Sequence, residues 1–299
     1  MSALPRRAAL RRRLAALVAG LALLALPATL LVPAAGAKPG HQRIVALTPF
    51  AANTLAKLGV TPIAVGQTLG GRERLSPNLA GVPILKLSHP NGPNLEQLTA
   101  LRPSLVLSSK TWAKGNLAIE GLGIKVEVRD PHSISGALAD TYKIGETVGR
   151  KHYARELLKR MRARIAAAES GIGRHLKVML ILGVGRAPFT FLPNSWGGSI
   201  VEAAGGELLT GGASSRSGFE RISDEVVIAE NPDVIIAVPH ADPEDIPALT
   251  RYLKNDPAWS STKAAKSGRV YVSVDNSLLQ AGTDIARTIT RVRENYLHN

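Results

Sequence analysis

Residues 151–170 read KHYARELLKRMRARIAAAES and give the strongest helix signal in the chain. The segment contains neither proline nor glycine, and its apolar residues recur at spacings of three and four, as on one face of an α-helix. Gly171 and Gly173 end the pattern. A helix of 20 residues spans roughly 30 Å, about the width of a small domain. We therefore expect this helix to join two parts of the molecule.

The segments on either side of the helix share one type of organisation. Both alternate short apolar runs of strand length with helical runs, which is typical of an α/β lobe with a mainly parallel sheet. A chain of 299 residues is long enough for two such lobes with their own cores. The predicted domains are an N-terminal α/β lobe at 43–148, a connecting helix at 149–171 and a C-terminal α/β lobe at 177–299.

A short pattern occurs once in each predicted lobe, with an offset of 129 residues. Residues 94–103 (NLEQLTALRP) and 223–232 (SDEVVIAENP) each begin with a residue that favours a helix N-cap, end in proline and precede an apolar run. Each therefore predicts a short helix that leads into a buried strand. Glu96 and Glu225 occupy the same position in the two copies. The pattern indicates that the two lobes are copies of one design.

The N-terminus differs in kind from the rest of the chain. Five arginines precede an apolar run at 14–32, and Ala35-Gly36-Ala37 follows as a small-x-small cleavage site. These features predict a secretory signal peptide over residues 1–37. A retained membrane anchor is the alternative, because 19 apolar residues approach the length of a bilayer span. The prolines at 27 and 33 and the cleavage pattern favour removal.

The composition predicts a protein exported without a lipid anchor. The chain has no cysteine, so it has no disulfide and no site for lipid attachment at a new N-terminus. We expect it to be periplasmic or otherwise extracytoplasmic, and not a lipoprotein. Loss of the leader arginines lowers the formal net charge from +14 to +9. Nucleic-acid binding would need clustered charge with exposed aromatic residues, and aromatics form only 4% of the chain, so no nucleic-acid partner is expected.

Much of the positive charge lies on the outer face of the long predicted helix. This positive charge comes from Arg155, Lys159, Arg162 and Arg164. A solvated helix face is the expected interpretation. Attraction to anionic ligands or lipid head groups is the alternative.

Six segments together resemble one known family. They are RIVALTPFAANTLAKLG from 43, PNLEQLTALRPSLVLSS at 93–109, LGIKVEV from 122, GGSIVEAAGG at 197–206, ISDEVVIAENPDVIIAV at 222–238 and GRVYVSVD from 268. In order and spacing they resemble the substrate-binding proteins of ABC importers for iron-siderophores, haem and cobalamin. The resemblance covers residues 43–299. It implies an α/β fold of two Rossmann-like lobes with mainly parallel sheets, joined by a single long helix.

The resemblance also implies how such a protein works. It is not an enzyme, and it has no catalytic residues. It would hold a small-molecule metal chelate between the lobes, act as a monomer, and deliver the chelate to an ABC permease and its ATPase. In the family an acidic residue on each lobe docks the permease, and Glu96 and Glu225 stand at those positions. Alternatively, each glutamate only stabilises its own helix through the helix dipole.

In this fold the ligand side is formed by loops at the carboxyl ends of the strands. Arginine and lysine there suit anionic oxygens, and tryptophan offers a flat apolar face. The predicted ligand-binding residues are Thr48, Phe50, Thr68, Arg72, Lys110, Trp112, Arg186, Trp196 and His240.

The identity of the ligand stays open at this point. A ferric siderophore or a corrinoid is expected, with haem as the alternative of the same class. Haem usually needs an axial ligand, for which His240 is the first candidate and His89 the second. Import of a bare metal ion would need a cluster of histidines and carboxylates, and the seven histidines are scattered, so neither a metal site nor a resident cofactor is predicted. An exported hydrolase is disfavoured because the chain lacks Gly-x-Ser-x-Gly.

Overall fold

Separate β-sheets form in the two halves of the chain. The computed structural model describes residues 42–67, 75–173, 175–183, 188–239, 246–273 and 276–298. In the first half the strands are β1 (Ile44–Ala46), β2 (Ala64–Gly66), β3 (Ile84–Leu85), β4 (Leu87–Ser88), β5 (Gly92–Pro93), β6 (Leu105–Ser108) and β7 (Lys125–Val128). The helices of this half are α1 (Pro49–Lys57), α2 (Leu95–Ala100), α3 (Ala113–Gly121) and α4 (Ile134–Thr147), followed by α5 (Lys151–Glu169). Short 3-10 turns occupy Pro77–Leu79 and Lys110–Trp112.

The described strands of the first half form a five-stranded sheet in the order β3-β2-β1-β6-β7, with every neighbouring pair parallel. β4 and β5 make a separate antiparallel pair. Because all five strands run the same way, their carboxyl ends meet at one edge of the sheet. That edge is where a ligand site is expected.

The second half contains a mixed sheet. Its strands are β8 (Leu176–Gly183), β9 (Phe189–Phe191), β10 (Gly206–Leu208), β11 (Phe219–Arg221), β12 (Val234–Pro239) and β13 (Val270–Val272). Its helices are α6 (Trp196–Ala203), α7 (Asp224–Glu230), α8 (Ile246–Asn255), α9 (Pro257–Ser260), α10 (Lys263–Lys266) and α11 (Ile285–Tyr296). In the described chain the order is β11-β9-β8-β12-β13, with β10 beside β8. β8, β10, β12 and β13 are parallel to one another, whereas β9 runs antiparallel to both of its neighbours, β8 and β11.

The long predicted helix is present without interruption as α5, which ends one residue before Ser170. Its buried face consists of Ala154, Leu157, Leu158, Met161, Ile165 and Ala168. This face packs against α4 of the first half and α11 of the second. One hydrophobic cluster includes the same face together with strand residues of both sheets, such as Leu107 and Leu180.

The predicted fold class, with two mainly parallel α/β lobes joined by one helix, is therefore confirmed. Residues 42–299 form one compact unit, and the predicted domain boundaries within it remain a prediction. Three helices begin at residues that favour an N-cap: the side chains of Asn94, Ser133 and Ser195 accept hydrogen bonds from backbone N–H groups at the starts of α2, α4 and α6. None of the helices in the described ranges has the length and apolar character needed to cross a membrane.

Candidate functional site

A polar cleft lies at the carboxyl edge of the first sheet and is closed on its other side by the loop between β13 and α11. Its described lining consists of Leu47, Thr48, Pro49, Gln67, Ser109, Thr111, Trp112, Asp130, Gln280 and Ala281. This part of the cleft encloses about 40 Å³, which is room for a few water molecules. A ligand pocket usually measures some 300–1,000 Å³, so these residues form part of a ligand site rather than all of it.

Thr48, which follows β1, connects the cleft to the start of α1. Its hydroxyl accepts a hydrogen bond from the N–H of Ala51 at 3.2 Å and donates one to the carbonyl of Arg129 at 3.3 Å. The first bond caps α1, and the second ties β1 to the end of β7. Thr48 is buried, so its main effect is to fix the geometry of the two strand ends that carry the lining.

Ser109 and Asp130 form a hydrogen-bonded pair at the ends of β6 and β7. The Ser109 hydroxyl donates to the Asp130 carboxylate and accepts from the N–H of Thr111 at 3.0 Å. Burial raises the pKa of Asp130 above its ordinary value, while the Ser109 hydroxyl and the charge of His132 oppose that rise. The buried Asn116 amide donates to the Ser109 carbonyl at 2.8 Å and holds this turn in place. The pair is thus a rigid, acceptor-rich part of the cleft wall.

Gln280 brings an unused acceptor to the cleft from the second half of the chain. Its Oε1 atom is buried and has no hydrogen-bond partner in the described structure. The loop around it is held firmly, because Leu278 and Ala281 lie in the core and the indole N–H of Trp196 donates to the Ser277 carbonyl at 2.9 Å. A buried carbonyl oxygen without a donor is costly. A ligand N–H or O–H in the cleft would satisfy it.

Two of the predicted ligand-binding residues, Thr48 and Trp112, line this cleft; their contact with ligand stays a prediction. Lys110 is exposed in the 3-10 turn before α3 and is not part of the described lining. Thr68, Arg72, Arg186 and His240 lie outside the described residues.

Phe50 and Trp196 differ from the expectation that they offer surface to a ligand. The Phe50 ring is completely buried in the core, because the second residue of α1 points away from the cleft that Thr48 and Pro49 line. Trp196 is 3% exposed, and its N–H is engaged by the carbonyl of Ser277. Trp196 supports the loop that carries Gln280 and does not itself line the described cleft.

Besides Thr111, which lies between the predicted Lys110 and Trp112, four polar residues of the lining were absent from the predicted set: Gln67, Ser109, Asp130 and Gln280. The first three follow β2, β6 and β7, so the rule that ligands bind at the carboxyl ends of parallel strands could have found them. Gln280 lies in an irregular loop and belongs to no motif, so no sequence signal pointed to it.

Glu96 and Glu225 are both exposed in the first turns of α2 and α7. A hydrogen bond from the Ser223 side chain lowers the pKa of Glu225, and so does a bond to its own backbone N–H. Each helix is joined to the following parallel strand by a short connection. An α/β unit of this kind runs its helix antiparallel to the strand, which directs each glutamate toward the carboxyl edge of its sheet.

Two α/β sheets bridged by one long helix, with a cleft of polar strand-end residues, define the class of two-lobed binding proteins. The chain matches the periplasmic binding protein family over residues 44–275 and belongs to that family. The family implies an extracytoplasmic location and comprises substrate-binding transport proteins rather than enzymes. The resemblance found in the sequence is therefore confirmed.

Two relatives show how far the similarity extends. The chain is 28% identical over 264 residues to a cobalamin-binding protein of Halobacterium salinarum, covering 86% of this chain and 70% of the relative. It is also 28% identical over 240 residues to the high-affinity heme uptake system protein IsdE of Staphylococcus aureus, covering 78% and 80%.

Solved structures share the fold. An ABC transporter substrate-binding protein from Listeria monocytogenes superposes with a TM-score of 0.76 at 23% identity, covering 87% of this chain and 100% of that one. Staphylococcus aureus IsdE complexed with heme gives 0.72 at 25% identity, with the same coverage.

Proposed function

We propose that this chain is the extracytoplasmic substrate-binding protein of an ABC importer. It captures a metal chelate, an iron-siderophore or a cobalamin-like corrinoid, between its two lobes and delivers it to a membrane permease driven by an ATPase. Membership of the family and the similarity to a cobalamin-binding protein support this proposal. The predicted signal peptide lies outside the described residues. Export by that peptide, the absence of a lipid anchor and a monomeric state are parts of the same proposal.

The unpartnered oxygen of Gln280 is the observation that supports a donor-bearing ligand. Gln280 and Asp130 both belong to the described lining of the cleft, which contains no lysine or arginine. Corrinoids carry amide side chains, and many siderophores carry amide N–H groups, so both offer donors to such acceptors. The carboxylates of haem would instead meet two acceptors, which is unfavourable unless cations from other loops intervene.

Haem is the second candidate, and the similarity to IsdE supports it. His89 lies beside Trp112, with their ring centroids 6.4 Å apart and in an edge-to-face arrangement, and Trp112 lines the cleft. His89 is exposed, so it is available as an axial ligand. It therefore joins His240 as a candidate for that role.

A titration with three chelates tests whether the ligand is a corrinoid, a ferric siderophore or haem. The purified protein is mixed in turn with cyanocobalamin, a ferric hydroxamate and haemin, and binding is followed by tryptophan fluorescence and visible absorbance. We expect saturable binding of cyanocobalamin or the ferric hydroxamate. The quenching should be smaller in Trp112→Phe while the absorbance change remains, because Trp112 is the tryptophan that lines the described cleft. Binding of haemin alone would favour the second candidate, and no binding of any chelate would contradict the proposal.

Delivery to the permease is proposed to depend on Glu96 and Glu225. Both carboxylates are exposed, one on each half of the chain, and neither forms an ion pair within the described structure. An exposed, unpaired carboxylate is available to a basic pocket on a partner. Their equivalent positions in the repeat support a symmetric docking mode.

A further inference from the structure

We propose that the protein has a second binding site, for a small phosphate- or carboxylate-bearing anion, in a cationic pocket formed by α1, α5 and the start of α11. We call it the α5 pocket. It is lined by Lys57, Leu157, Arg160, Met161, Arg164, Ile165, Thr283, Asp284, Ile285 and Ala286 and encloses about 150 Å³. None of these residues lines the ligand cleft described above.

The charge of the α5 pocket is positive and only partly neutralised. Lys57, Arg160 and Arg164 contribute three cations, and Asp284 is the carboxylate among the described lining residues. Within the described structure, neither arginine has a carboxylate oxygen within 4.0 Å. Burial lowers the pKa of Lys57, the charge of Arg164 lowers it further, and Asp284 opposes the shift. An anion in the pocket would relieve this crowding of positive charge.

The dimensions and the walls of the pocket suit a small oxyanion. A volume of about 150 Å³ is below the roughly 300–1,000 Å³ of a usual ligand pocket, so the pocket suits a phosphate or a small polycarboxylate better than a chelate. Arg160 and Arg164 lie one turn apart on the same helix face, where two guanidinium groups can each bind an oxyanion through paired N–H donors. Leu157, Met161 and Ile165 make the wall between them apolar.

The α5 pocket is linked to the ligand cleft by two continuous elements. Helix α1 has its first residue, Pro49, in the cleft and its last, Lys57, in the pocket, about 12 Å along the helix. The loop before α11 places Gln280 and Ala281 in the cleft and residues 283–286 in the pocket. The Lys57 amine also donates to the Thr283 carbonyl at 3.0 Å, joining the first and second halves of the chain. An anion held here would brace the two halves on the side of α5.

Calorimetric titration with inorganic phosphate, and separately with citrate, tests the proposal at constant ionic strength set by sodium chloride. We expect one anion to bind per chain in a saturable manner. The variant Arg160→Gln/Arg164→Gln should weaken that binding by roughly ten- to a hundredfold, the loss expected for a charged hydrogen bond. Asp284→Asn should tighten it severalfold, because it removes the opposing charge.

The matched control is Arg155→Gln/Arg162→Gln. These two arginines lie on the same helix but line a different groove, next to α4, so the control removes equal charge and should change anion affinity less than twofold. Thermal unfolding of both variants shows that they are folded. Absence of saturable binding by either anion, or an equal loss in both double variants, would overturn the proposal.

Phosphatidylglycerol vesicles distinguish a free anion from a lipid head group. Vesicle binding that the pocket variant loses and the control keeps, without saturable binding of phosphate or citrate, would also overturn the assignment to a free anion. Because the probes are simple anions, the result is independent of which chelate the cleft binds.

Discussion

Arg102 and Asn231, 129 residues apart, hold the same left-handed backbone conformation, with φ of 45° and 44°. Each follows a short helix and immediately precedes a proline, Pro103 or Pro232. Proline disfavours the right-handed α conformation at the preceding residue, which prevents either helix from continuing. Among the described residues other than glycine, only these two have positive φ. The repeat seen in the sequence therefore extends to the backbone.

Arg102→Gly should stabilise the protein by about 0.5–1 kcal/mol, because glycine adopts the left-handed region without the steric cost that arginine pays. Denaturant unfolding measures the change. Asn231→Gly is the matched control and should gain less stability. Asparagine tolerates the left-handed region, and the Asn231 side-chain oxygen accepts a hydrogen bond from the N–H of Lys263 at 2.9 Å, which glycine would lose. A clear loss of stability in Arg102→Gly would contradict the conformational assignment.

Gly145→Ala should destabilise the protein by about 1–3 kcal/mol, the usual cost of overpacking. A methyl group at Gly145 of α4 would overlap the side chain of Ala154 on α5, so the two helices would have to separate. Gly121→Ala is the control. It lies at the end of α3 with nothing within 4 Å of the added atom, and alanine is the better helix former, so thermal unfolding should show no loss. Equal behaviour of the two variants would disprove the close contact between α4 and α5.

Asp130→Asn should raise the melting temperature at pH 7, and the difference from the wild type should shrink as the pH falls toward about 4. Folding raises the pKa of Asp130, mainly through burial. An acid whose pKa is higher in the folded than in the unfolded protein stabilises the folded state through its protonated form. This contribution to the free energy of unfolding is complete below the unfolded pKa and is lost as the pH rises through the folded pKa. Asparagine cannot ionise and still offers an oxygen to Ser109.

Melting curves between about pH 4 and 8 check this prediction. Asp224→Asn, at an exposed aspartate in the first turn of α7, is the control and should not raise the melting temperature. If Asp130→Asn melts lower than the wild type at pH 7, the ionised carboxylate is stabilised by its surroundings and the interpretation is wrong.

The double variant Glu96→Ala/Glu225→Ala should bind its chelate normally and import it more slowly than either single variant. Both side chains are exposed and lie outside the described cleft lining, so ligand affinity should not change. Each missing carboxylate would leave a basic group of the permease unpaired. Uptake by cells that export equal amounts of protein is the measurement. Glu120→Ala/Glu207→Ala, which removes one exposed glutamate from each half, is the control, and equal uptake by both double variants would refute docking through the repeat.

Helices and strands with a strongly periodic pattern of apolar residues could be predicted from the sequence. Spacing predicted the apolar face of α5 except at Tyr153, which the same spacing includes but which is 57% exposed. The paired helix-proline-strand pattern predicted α2 and α7. The direction of individual side chains was not predictable in the same way. Phe50 stands two residues after Thr48, yet it points into the core, because successive residues of a helix turn by about 100°. Sequence alone does not show which of them faces the cleft.

A second limit of prediction from sequence is that some roles depend on contacts between residues far apart in the chain. Trp196 supports the loop that carries Gln280, and this is such a case. Burial of the Trp196 ring and its bond to Ser277 arise only when α6 packs beneath the loop before α11. The positions are about 80 residues apart in the chain, and neither has a local motif that could have predicted this contact.

The unpartnered oxygen of Gln280 implies that the stability of the ligand-free protein and its affinity for a chelate oppose each other. An unsatisfied buried acceptor costs the empty protein about 1–3 kcal/mol, so Gln280→Leu should make the ligand-free protein harder to unfold while weakening its hold on a donor-bearing chelate. Laboratory evolution that rewards heat resistance alone would therefore favour apolar residues at this position. In a library selected for thermal tolerance and then assayed for chelate binding, the most heat-resistant variants should bind the chelate most weakly.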